Sequence, residues 1–138
     1  MKFWLVKQEP TKYNWEQLLE DKETAWDGVR NFQARNNLKA MKKSDILFFY
    51  HSVIGKEIKG VAEVSKEFYP DSTDPRWVAV NIKPVKTLNR PVSLDDIKNH
   101  PRLENISLIK QSRLSVMPLS AQEFKDILEM GRTHLKGV

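Results

Sequence analysis

The stretch ILFFYH, residues 46–51, is apolar at both parities: Leu47 and Phe49 fall on one face of an extended chain, Ile46 and Phe48 on the other. Successive side chains of a strand point to opposite faces, so such a run must be covered from two sides, as in a small barrel. On its C-terminal side, Val61 to Phe68 and Trp77 to Val85 read as further strands. In the latter, Val78, Val80 and Ile82 alternate with Ala79, Asn81 and Lys83, giving one buried and one wetter face. On its N-terminal side, Phe3 to Lys7 reads as a strand that Pro10 ends.

Three helix starts carry capping chemistry. Asn14 with Gln17 resembles a capping box, with Tyr13 and Leu18 placed to staple it, and Ser93 with Asp96 is flanked by Val92 and Ile97. Ser120 with Glu123 is the clearest, with Leu119 and Phe124 as the staple and Gly131 just past the helix end. Phe124, Ile127 and Leu128 form the buried stripe of that helix. Short strands interspersed with short helices, without regular β-α-β spacing, predict an α+β fold built on a mainly antiparallel β-barrel with flanking short helices. No repeat, low-complexity stretch or linker divides the chain, so residues 1–138 read as one domain.

Composition narrows the function classes. With 40% apolar and 30% charged residues over 138 positions, the chain can bury a core and is not a disordered segment. Its net charge of +5 is spread over scattered lysines, which suits a polyanion held on a folded surface or in a pocket more than on a basic tail. The absence of cysteine removes disulfides, thiol nucleophiles and thiolate zinc sites, and fits a reducing compartment. The apolar run at the start of MKFWLVKQEP is too short for a signal core or a membrane span. An intracellular protein is expected, cytoplasmic or, in a eukaryote, nuclear, monomeric and without a membrane partner.

Motifs for catalysis are missing. There is no Gly-rich phosphate loop, HExxH, EF-hand or nucleophile-elbow pattern, and His51, His100 and His134 stand far apart in sequence. No cofactor, metal or catalytic residue is expected. The informative stretch is WDGVRNFQARN, residues 26–36: Asp27-Gly28 is a turn signal and a helix follows from about Asn31 to Met41. At about 100° per residue, Asn31 and Arg35 share the stripe of Ala34, Leu38 and Met41. Such groups either line a cavity or sit in an exposed first turn bonded to loop carbonyls, because burying them unpaired costs roughly 2–7 kcal/mol.

Lys7-Gln8-Glu9, Tyr50-His51-Ser52 and Ser112-Arg113-Leu114-Ser115 are further polar concentrations, each alone an ordinary strand end or loop. Together they offer aromatic, amide, hydroxyl and guanidinium groups at strand and helix ends. That inventory suits a flat, uncharged, hydrogen-bonding ligand such as a nucleobase.

WLVKQEP from Trp4, WDGVRNFQARNNLKAM from Trp26, FFYHS from Phe48, GVAEVSKEFYPD from Gly60 and SRLSV from Ser112 resemble, in order, the EVE domain. That family includes bacterial stand-alone proteins and the thymocyte nuclear protein family. The resemblance implies a PUA-like β-barrel related to YTH and ASCH domains, and a reader of modified bases: modified cytosines such as 5-methylcytosine in DNA foremost, modified RNA bases as well. It also implies a pocket lined by Lys7, Gln8, Glu9, Trp26, Arg30, Asn31, Arg35, Asn36, Tyr50, His51 and Ser52, with Arg113 and Ser115 nearby. Gln8 stands where the family often has Ser or Thr, which bears on the base edge that is read. Ser44 stands where it commonly has Gly, which bears on a turn.

The function expected is therefore a non-enzymatic nucleic-acid-binding module whose partner is DNA or RNA carrying a modified base. An extruded base would stack on Trp26 or a neighbouring ring, and Asn31, Ser52 and backbone groups would bond its edge. Arg30, Arg35, Arg113 and surface lysines would hold phosphates or fix the pocket walls. Asn31 and Arg35 are expected to face a cavity shared with Tyr50 or Ser52. The rivals are a nuclease-like relative of the ASCH group, using Lys7, Tyr50 or His51 as acid or base, and a protein-interaction adaptor with a large exposed apolar patch.

Overall fold

The computed structural model describes residues 1–138. In chain order the elements are β1 (Phe3–Gln8), α1 (Trp15–Asp21), β2 (Thr24–Trp26), α2 (Phe32–Ala40), β3 (Ile46–His51), β4 (Glu57–Pro70), β5 (Val78–Ser93), α3 (Leu94–Lys98), α4 (Ser107–Lys110), β6 (Val116–Leu119) and α5 (Ala121–Met130). Six strands form one mixed sheet in the order β2-β5-β4-β3-β1-β6. β1 and β3 run parallel, with Phe3 opposite Ile46 through Gln8 opposite His51. Every other neighbouring pair is antiparallel.

The α+β class holds, but the expected barrel does not close: β2 and β6 are two separate edges. β4 and β5 form a long hairpin with four register shifts, far longer than the runs that the apolar pattern marks. Such bulges bend and twist a sheet without carrying a hydrophobic signature, which is why the pattern hid that length.

β3 is interior and buried on both faces, as its composition requires. Leu47, Phe48 and Phe49 are fully buried. Phe48 stacks on Phe124 of α5 at 4.1 Å, while Phe49 meets Trp15 and Trp26 edge-on at 5.6 and 5.3 Å on the other face. Gly60 on β4 makes room for Trp15: a Cβ there would lie 2.2 Å from the indole ring.

The capping boxes at Ser93/Asp96 and Ser120/Glu123 form in both directions. At α1, Asn14 accepts from the Gln17 amide, but the Gln17 side chain goes to Asp21. At the end of α5 the left-handed residue is Arg132 (φ 51°), not Gly131 (φ −81°). Gly131 answers to packing instead, since a Cβ would meet Leu88 at 3.2 Å and the Arg90 carbonyl at 3.3 Å. Ser44 occupies a turn at φ 77°, a conformation that glycine adopts at no steric cost.

Candidate nucleic-acid interface

Strand alternation divides the expected site. Because β1 and β3 pair in register, Lys7 and Tyr50 emerge on the α5 side of the sheet, and Gln8 and His51 on the α1 side. Two clefts flank the end of β1 accordingly. One, of about 330 Å³, is lined by Gln8, Lys12, Tyr13, Thr24, Ala25, Trp26 and Asp27. The other, of about 420 Å³, is lined by Lys7, Tyr50, Ser52, Val53, Lys56, Leu94, Leu108 and Ser112.

In the first cleft, Trp26 is only 5% exposed, so it is core and wall at once. The Gln8 side-chain oxygen accepts from the Glu9 N–H at 2.9 Å, which leaves its NH₂ group to the cleft. Glu9 itself pairs with Lys12 at 3.0 Å on the surface. Tyr13 donates to Asp21 at 2.7 Å, and burial, the largest cause, pushes its phenol up to about 12. Asp27 is exposed and makes no ion pair.

In the second cleft, Lys7 Nζ donates to the Ser112 carbonyl at 2.7 Å, and burial lowers its pKa. Burial pushes the Tyr50 phenol up to about 12. His51 faces neither cleft. Its Nε2 accepts from the Trp15 N–H at 3.0 Å, fixing the start of α1. Burial lowers its pKa, helped by Lys59 and opposed by Glu16 and Glu57.

The expectation for Asn31 and Arg35 needs correction. Asn31 is the N-cap of α2, extended at φ −120°, and its side chain accepts from the Ala34 N–H at 2.9 Å. A cap residue lies outside the helical periodicity, so its angle on the wheel says nothing about where it points. Arg35 donates to the Arg76 carbonyl at 3.2 Å and lies over Phe32 and Trp77 at 5.0 and 5.8 Å, with its Nε buried and unpartnered. Neither residue lines a cleft with Tyr50 or Ser52.

Arg30 belongs to the same neighbourhood. It bonds Asp71 at 3.1 Å and Thr73 at 2.8 Å and sits 5.6 Å from the Trp77 ring. Backbone N–H groups of Gly28 and Thr73, foremost among several donors, hold the buried Asp71 carboxyl well below the usual carboxylate range. This ties the WDGVRN loop to the β4–β5 connection. Asn36 and Arg113 are exposed, Ser115 is half-buried with its carbonyl accepting from Lys7 N–H, and none of the three lines either cleft. Tyr13, Asp27 and Lys56 line the clefts without having been singled out as ligand contacts from the sequence, although Asp27 lies within the WDGVRNFQARN stretch.

The structure gathers no group of three or more His, Asp or Glu able to hold a metal, and no helix is long and apolar enough to cross a membrane.

Comparison with known proteins agrees with this architecture. The chain is 36% identical to thymocyte nuclear protein 1 of Mus musculus over 167 residues, covering 95% of this chain and 74% of that protein. An Agrobacterium tumefaciens crystal structure superposes with a TM-score of 0.93 at 43% identity, covering 96% of this chain and 94% of the other. Human THYN1, solved in complex with 5-methylcytosine-containing DNA, superposes with a TM-score of 0.90 at 31% identity, covering 98% of this chain and all of that one. A YTH domain from Zygosaccharomyces rouxii, at a TM-score of 0.58 and 17% identity, shares the fold. The EVE domain model matches residues 2–130, and the chain belongs to the EVE domain family.

Proposed function

We propose that the chain is a non-enzymatic nucleic-acid-binding module that reads a modified base, 5-methylcytosine in DNA foremost, in the cleft between Gln8 and Trp26. The observation that carries this reading is the likeness, across 98% of the chain, to human THYN1 bound to DNA containing 5-methylcytosine. The chemistry of the first cleft supports it. Cytosine presents an amino donor beside ring acceptors, and the Asp27 carboxylate can accept from the first while the Gln8 NH₂ donates to the second. The rings of Tyr13 and Trp26 supply an apolar wall for the base and its methyl group. Entry requires the base to leave its stack, at a cost of a few kcal/mol that phosphate contacts elsewhere offset.

Two groups that a nuclease-like reading would use are otherwise engaged: His51 Nε2 by Trp15 and Lys7 Nζ by Ser112. The test is a pair of variants on opposite faces of the sheet. Gln8→Ala should weaken binding of the methylated and unmethylated oligonucleotides alike, by up to the roughly 1–3 kcal/mol that a good edge contact provides. Tyr50→Phe should leave both affinities intact. The reverse result would move the base into the second cleft, and an RNA oligonucleotide carrying the same modification as a further arm separates DNA from RNA.

A further inference from the structure

The cation–π pairs of the protein all lie in the segment Arg30–Lys39 and the β4–β5 hairpin. Arg30 and Arg35 lie against Trp77, Arg35 over Phe32, Lys39 over Phe68, and Lys66 over Tyr69. Phe32, Arg35 and Lys39 are spaced i, i+3, i+7 along α2, so they share one side of that helix and span about 10 Å. Phe32 is 66% exposed and stacks on Trp77 at 5.1 Å; Phe68 is 44% exposed. Monomeric proteins scatter exposed apolar rings, and an alternation of open rings with cations is what unpaired nucleotides require.

The charges are available as well. Arg35, Lys39 and Lys66 form no ion pair; of the acids nearby, Asp71 is held by Arg30, Asp74 by Arg76, Glu67 by the Lys43 N–H and Glu23 by the Ser65 hydroxyl, while Asp27, close to Tyr69, is unpaired. The segment thus presents three cations without an ion-pair partner against one free carboxylate, beside exposed aromatic rings. A duplex offers no free base faces to such rings, and a single strand does.

We propose that this region binds a single-stranded nucleic-acid segment whatever its modification, with bases stacking on Phe32 and Phe68 and phosphates held by Arg35, Lys39 and Lys66. The inference does not rest on base reading in the Gln8 cleft. A protein that failed to distinguish methylated from unmethylated cytosine could still bind through this region, so the two ideas fail separately.

The experiment uses unmodified probes of about 12 nucleotides, within the range of single-strand site sizes: oligothymidylate, oligouridylate and a DNA duplex, titrated against the full chain by fluorescence anisotropy. Phe32→Ala and Phe68→Ala should each weaken single-strand binding by about 5- to 150-fold, the worth of one stack. Lys39→Ala and Lys66→Ala should each flatten the dependence of log affinity on log salt by about 0.7. Thermal melts of the same variants verify folding, which the exposure of these side chains should preserve. Oligothymidylate and oligouridylate distinguish DNA from RNA as the strand preferred. Undiminished single-strand binding by both ring variants would overturn the proposal, as would duplex binding as tight as that of the single strands.

Discussion

Trp26 joins the core to the cleft, and its removal separates the two contributions. The side chain is 5% exposed and packs edge-to-face on Phe49 with ring centroids 5.3 Å apart. Truncation of a buried tryptophan to alanine costs about 3–5 kcal/mol, including the cavity left behind. At about 2.1 cal/mol/K of unfolding entropy per residue, a chain of this length changes its melting temperature by about 3–4 °C per kcal/mol, so Trp26→Ala should melt roughly 10–17 °C lower. Scanning calorimetry and urea titration check this, with an unchanged urea slope expected if both states keep their compactness. Trp26→Phe fills most of the space, so it should melt much closer to the wild type while losing part of the stacking surface. A Trp26→Ala protein that melted within about 3 °C of wild type would refute the placement of Trp26 in the core.

Gly60→Ala drives a methyl group into the Trp15 indole, whose Nε1–H donates to the Thr87 hydroxyl while the backbone N–H of the same residue donates to His51. Overpacking of this kind costs about 1–3 kcal/mol, occasionally more, and a variant as stable as wild type in urea would mean that Trp15 can move freely. Asn31→Ala should cost about 1 kcal/mol by uncapping α2, with Asn31→Ser restoring most of it; equal losses in both would contradict the capping role. The lowered pKa of His51 means that the unfolded chain takes up the proton more readily than the folded one. Its contribution is therefore present above the unfolded value of about 6.5 and lost as pH falls below it. The melting temperature should drop between neutral pH and about pH 5, and less steeply in His51→Gln, which keeps an acceptor for the Trp15 N–H; parallel profiles would remove His51 as the cause.

Much of the architecture was legible because it rests on periodicity and capping. The run at residues 46–51, the start of α2 at Asn31 and the boxes at Ser93 and Ser120 are local signals, and each appears where the chain places it. Barrel closure was not legible, because whether the edge strands β2 and β6 meet depends on twist accumulated through bulges. The site was legible as a neighbourhood rather than as a pocket. Lys7-Gln8 and Tyr50-His51 are adjacent in sequence, yet in each pair the side chains leave opposite faces of the sheet and serve different surroundings. The cations of WDGVRNFQARN found their aromatic partners in the distant β4–β5 hairpin, a contact that no local pattern encodes.

The central claim is that a pocket in this chain distinguishes a modified base from its unmodified counterpart. Its most direct test is the affinity of the wild-type protein for two DNA oligonucleotides identical except for one 5-methylcytosine, titrated at low and at moderate salt. A methyl group held in an apolar pocket is worth about 1–3 kcal/mol, so the methylated strand should bind about tenfold tighter or more. Salt should weaken both affinities through the phosphate contacts while leaving their ratio nearly constant. Equal affinities for the two strands, or a ratio that vanished as salt rose, would contradict base reading.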